Sequence, residues 1–149
     1  MLGLMTLTWA WAETSLAMTI GIIQEHVGPI KGHAEPPVSL TRKIACFKIA
    51  LRDMEILHPF QQEGAILAKS FKELGTRRND LVHAAAWQMS EGQFHAVSLN
   101  VVAGKYTGKD HRFDIGYATA LTTEIAILSD NITAFMLKVT TRIAPGENP

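Results

Sequence analysis

Arg78 and His83 stand five residues apart in Thr76-Arg77-Arg78-Asn79-Asp80-Leu81-Val82-His83, the densest polar cluster of the chain. A neutral imidazole, with an ordinary pKa of about 6.5, takes up a proton near neutral pH, and a guanidinium holds developing charge on phosphorus in a two-pronged grip. On a phosphodiester such a pair can remove the proton of a ribose 2′-hydroxyl and let the strand cleave itself without a metal. The spacing leaves a second use open. Arg78 pairs with Asp80, Glu73 or a neighbouring chain, and His83 is a histidine satisfied among packed helices.

On a continuous helix Arg78 and His83 lie about 140° apart, so they flank an apolar stripe, while Asn79, His83 and Trp87 form one ridge. A two-fold partner would bring a second copy of each group to the same cleft. Lys69, Lys72, Arg77 and Arg78 against Glu73 and Asp80 make the approach basic, and Arg77 is a weak candidate for binding substrate; Lys69 and Lys72 read in preference as plain surface charge.

Four helical segments are expected to position this cluster. Helix 1 runs from about Leu4 to Glu25 and ends at Gly28-Pro29. Helix 2 starts near Ser39 with Leu40, Ile44, Phe47, Leu51 and Met54 on one stripe, and His58-Pro59 closes it. Helix 3 starts near Gln61 with Leu67, Phe71, Leu74, Arg78, Leu81 and Ala85 in phase, and Gly75-Thr76 is a candidate break. After Trp87 the period changes to alternation, and a β-ribbon of two or three strands is expected over about 90–115, with Gly104 to Asp110 as its second turn. Helix 4 carries the cleanest stripe, Leu121, Ile125, Leu128, Ile132, Phe135, Val139 and Ile143, before a flexible tail at about 144–149. The fold class read from this is mainly α, an antiparallel four-helix bundle with a small β-ribbon between helices 3 and 4, in a single domain over 1–149.

Composition bounds the function. The 149 residues hold 14 Lys+Arg and 14 Asp+Glu, so any contact with RNA must be local and not driven by overall charge. A single cysteine, Cys46, excludes an intramolecular disulfide framework and a cysteine-based zinc site, and makes the cytoplasm the default compartment. Helix 1 is apolar over more than one face yet carries Glu13 and several hydroxyls, with no Lys or Arg before Lys31. It reads as a buried or interfacial helix in a homodimer seam, in preference to a membrane anchor. Trp9 and Trp11 point about 200° apart and serve two surfaces. Glu55 and His58 have the spacing of a di-iron carboxylate motif, but with one copy no metal site is expected. Cys46 reads as a small buried hydrophobe.

The run Arg78-Asn79-Asp80-Leu81-Val82-His83, with a polar residue directly after the arginine, resembles the Arg-x4-6-His signature of the HEPN superfamily, and its place late in the third of four helices strengthens the likeness. The resemblance implies a helical dimer in which two Arg and two His face one cleft. It also implies a metal-independent endoribonuclease without cofactor that leaves a 2′,3′-cyclic phosphate, in many members a toxin paired with a nucleotidyltransferase-type antitoxin. By carry-over Arg78 is the phosphate clamp, His83 the proton-transfer group and Asn79 an orienting group. Ala84-Ala85-Ala86 departs from the Gly that often follows the histidine, and the ribbon is long for the minimal fold. The alternative the family allows is a non-catalytic dimer that binds a protein partner or a nucleotide.

Overall fold

The computed structural model describes residues 2–83, 85–90, 93–102 and 105–144. They form α1 (Leu2–His26), α2 (Leu40–Asp53), a 3-10 helix (Glu55–Phe60), α3 (Gln61–His83), strands β1 (Ala85–Ser90), β2 (Gln93–Val102) and β3 (Lys105–Asp114), and α4 (Ile115–Ile143). The protein is therefore mainly helical.

Local chemistry sets the helix boundaries. Ser39 caps α2 by accepting from the Arg42 N–H at 3.4 Å, and Pro59 lies within the 3-10 helix that separates α2 from α3. Asp114 ends β3 and caps α4 in the same residue, its Oδ1 accepting from the Tyr117 N–H at 2.6 Å, so the sheet hands the chain straight to the last helix. The candidate break at Gly75 does not occur, and α3 runs through it. Here the glycine serves packing: a Cβ would sit 2.9 Å from Leu40 Cδ2 and 3.2 Å from Trp9 Cη2. Its absence lets α1 and the start of α2 close on α3.

One core joins the helices. Met5, Trp9, Ala12, Leu16, Ile20 and Ile23 of α1 are buried, as is every member of the α4 stripe from Leu121 to Ile143. Phe135 takes two edge-on rings, Phe47 at 5.4 Å and Phe60 at 5.8 Å between centroids, and Trp9 packs edge-on to Phe71 at 5.9 Å. Cys46 lies fully inside, and burial pushes its thiol pKa up. Two buried hydroxyls are partnered: Thr19 donates to the Ser15 carbonyl at 2.7 Å, and the Ser15 and Thr133 hydroxyls meet at 3.3 Å between α1 and α4. Among the described residues α4 is the one helix long and apolar enough to cross a membrane, and its stripe is spent on this core.

The expected antiparallel alternation is corrected by the contacts. Glu63 pairs with Lys138 and Arg77 with Glu124, which makes α3 and α4 antiparallel. Leu51 meets Gly64 as Leu40 meets Gly75, so α2 also opposes α3. Glu13 pairs with Lys43 at 2.7 Å, Trp9 and Leu40 converge on Gly75, and His26, Met54 and Arg142 line one depression. Thus α1, α2 and α4 run one way and α3 runs against them. Residues 27–39 make this arrangement feasible. They return the chain to the start of α2, with Ile30 buried, the His33 carbonyl accepting from Gln24 Nε2 at 2.9 Å, and Gly28 and Gly32 at φ 128 and 77.

The sheet is an antiparallel meander in the order β1-β2-β3. It begins earlier than expected. Ala85 and Ala86, read as the end of helix 3, pair with Val97 and Ala96, and the register shifts between Ala86 and Gln88, so Trp87 is the extra residue of a bulge on β1. The stretch read as a second turn mostly belongs to β3, whose Lys105–Asp114 pair without interruption with β2; Gly104 lies outside the described residues. The turn at Glu91-Gly92, Ala84 and the tail over 145–149 also lie outside them.

Candidate functional site

The end of α3 beyond Gly75 lies where α4 begins and the sheet departs, so three elements converge on the arginine pair. Successive residues on a helix point about 100° apart, and the two arginines diverge accordingly. Arg77 faces α4. Its Nη2 donates to Glu124 Oε1 at 3.0 Å, its Nη1 to Oε2, and its Nε to the Tyr117 hydroxyl at 3.3 Å, while the guanidinium carbon stands 5.4 Å from the Tyr117 ring centre. The hydrogen bonds that Arg77 donates to Glu124 and then to Tyr117 raise its pKa above its ordinary value. This guanidinium fastens α3 to α4, and its fork is committed.

Arg78 is half-buried and in a different situation. Its Nη1 donates to Asn79 Oδ1 at 3.0 Å, and its Nε is enclosed with no acceptor among the described residues. An enclosed N–H without a partner is uncommon in native proteins, and functional sites are among the places where one is found. Asn79 is thus placed to orient Arg78.

His83 is the last residue of α3, about 7–8 Å further along the axis than Arg78 by helix geometry; its side chain lies outside the described residues. The ridge expected from Asn79 through His83 to Trp87 does not form, because Trp87 belongs to β1. The structure therefore brings Arg78 and Asn79 together and directs Arg77 elsewhere.

Beside Arg77 an open groove of about 690 Å³ is lined by Lys69, Lys72, Glu73, Thr76 and Glu124. Lys69 pairs with Glu73 at 3.8 Å, and Lys72 has no carboxylate partner among the described residues. The residues sequence reasoning missed are Tyr117 and Glu124. A signal for Glu124 was present, since it is the one charged residue between Ile115 and Ser129, within the most apolar periodic stretch of the chain. Glu55 and His58 fall on the 3-10 helix, and among the described residues no three His, Cys, Asp or Glu side chains gather as a metal site would require. No known protein family, curated protein or solved structure matches this chain.

Proposed function

We propose that this chain is a HEPN-like, metal-independent endoribonuclease acting as a homodimer, with Arg78 and His83 as its working pair. His83 takes the proton of a ribose 2′-hydroxyl, and the 2′-oxygen attacks phosphorus. The bond from phosphorus to the 5′-oxygen breaks, that oxygen leaves with a proton, and a 2′,3′-cyclic phosphate and a 5′-hydroxyl end result. Arg78 holds the non-bridging oxygens as charge builds on them, and Asn79 sets the plane of its guanidinium. The observation that supports this most is the Nη1 of Arg78 held by Asn79, beside an Nε with no acceptor among the described residues: a cation already oriented. The order of elements, four helices with the motif late in the third, supports the family reading without requiring alternating helices. Regulation by a nucleotidyltransferase-type partner belongs to the same proposal and is carried by the resemblance alone.

The test is cleavage of a defined RNA by the purified chain in EDTA. The wild type leaves cyclic phosphate termini, and His83→Ala lowers the rate by roughly 10²–10⁴-fold, the range for a general base, at unchanged helicity. Undiminished cleavage by His83→Ala refutes the assignment. A second reading, a non-catalytic dimer that binds a protein or nucleotide, draws support from Arg77, whose committed fork leaves the motif one oriented guanidinium instead of two. It predicts no cleavage of any RNA.

A further inference from the structure

The buried stripe of α1 accounts for only one of its faces. A second set of large apolar side chains stands in solvent on the same helix: Leu4 is 61 % exposed, Leu7 69 %, Trp11 63 % and Met18 52 %. With the exposed Thr14 between Trp11 and Met18, the spacing is three, four, three, four, the repeat that sets two helices side by side as knobs into holes. The two neighbouring indoles divide between the faces, Trp9 inside at 4 % and Trp11 outside.

We infer that this face of α1 is the surface through which two copies of the chain pair. Area is the first argument. Together with Leu2, which is also exposed, these side chains offer on the order of 600 Å² of apolar surface. That is the upper end of the largest patch on an ordinary monomer, about 300–600 Å², and most of the roughly 800 Å² per partner of a standard interface. Charge is the second. Residues 2–12 carry none, and Glu13 is drawn toward Lys43, so no ion is desolvated when the face is covered. A face without charge has nothing to complement in an electrostatically distinct partner, whereas a copy of itself offers the same stripe under two-fold symmetry. A bilayer surface suits it less well, because helices lying in the interface carry Lys or Arg along their polar side and α1 has neither. The inference rests on α1 alone and does not depend on RNA cleavage.

Sedimentation velocity on the full chain decides it. The wild type sediments as a dimer at micromolar concentration, and Leu7→Glu and Trp11→Glu each weaken it by about 30-fold or more, as loss of a central anchor does. Circular dichroism shows that the variants keep their helices, and Leu7→Gln replaces Leu7→Glu should the latter fail to fold. Ile127→Glu, on the exposed side of α4, leaves the dimer intact. A monomeric wild type, a dimer indifferent to both α1 variants, or a dimer broken by Ile127→Glu overturns the inference. So does a wild type that is monomeric and floats with phosphatidylcholine vesicles while Trp11→Glu stays behind.

Discussion

Replacing Arg78 with Met separates a functional arginine from a structural one. Met keeps the length and apolar bulk of the stem and removes the guanidinium. Two stability terms change. The enclosed Nε no longer goes unpartnered, which relieves roughly 1–3 kcal/mol, and the exposed bond to Asn79 is lost, which costs about 0.5–1.5 kcal/mol. The balance runs from about 0.5 kcal/mol against the variant to about 2.5 kcal/mol in its favour. For a chain of 149 residues that is a melting temperature between about 2 °C lower and roughly 10 °C higher. Cleavage should fall by about 10²-fold or more, the ordinary cost of losing one donor to the developing charge. Thermal melts and initial rates on one RNA, at one ionic strength, give both numbers. A melting temperature lower by more than about 3 °C would show that Arg78 holds the fold together, and the argument from its orphaned nitrogen would fail with it.

Two further perturbations follow from the packing. Glu124→Gln removes the charge that Arg77 grips; with side chains 34 % and 44 % exposed the pair is screened, so the loss is about 0.5–1 kcal/mol at low salt and shrinks in 1 M NaCl. A loss that salt does not diminish would point to something other than the ion pair. Cys46 supplies a pH dependence: burial raises its folded pKa above the ordinary 9.0, so the unfolded chain ionises first. Its contribution to stability is full below that value and declines above it. Urea midpoints of wild type and Cys46→Ala should therefore diverge as pH rises through 9, and parallel profiles would rule the effect out.

Much of the helical order could be read from spacing, because periodic burial is a local property. The α4 stripe is buried at every expected position, and α2 starts beside Ser39, where its start is expected. Where pairing across the chain decides, local signals mislead. Ala85 and Ala86 are good helix formers captured by β2, and the turn-like Gly104 to Asp110 is overridden from Lys105 on by a strand register that runs to Asp114. Helix direction was also not apparent from the stripes, which look the same from either end. The signal lay in the connection: residues 27–39 are too many for the ordinary link between antiparallel neighbours, roughly 2–8 residues, and suit a crossover. At the site, the closeness of Arg78 and Asn79 is a matter of adjacent residues, but the separation of Arg77 from Arg78 depends on Tyr117 and Glu124, some forty residues away.

The ion pairs also bound how strongly the proposed site could attract RNA. Lys43, Arg52, Lys69, Arg77 and Lys138 each already face a carboxylate. Near the motif this leaves Lys72 and Arg78 without a carboxylate among the described residues, two cations where the sequence suggested four. Each phosphate neutralised on a single strand contributes about 0.7 to the salt exponent of binding, so two chains supply an exponent of roughly 3 at most from this region. Under the proposed function, cleavage would therefore draw on position more than on grip: the plane of Arg78 set by Asn79, and a second copy of the pair at the same strand.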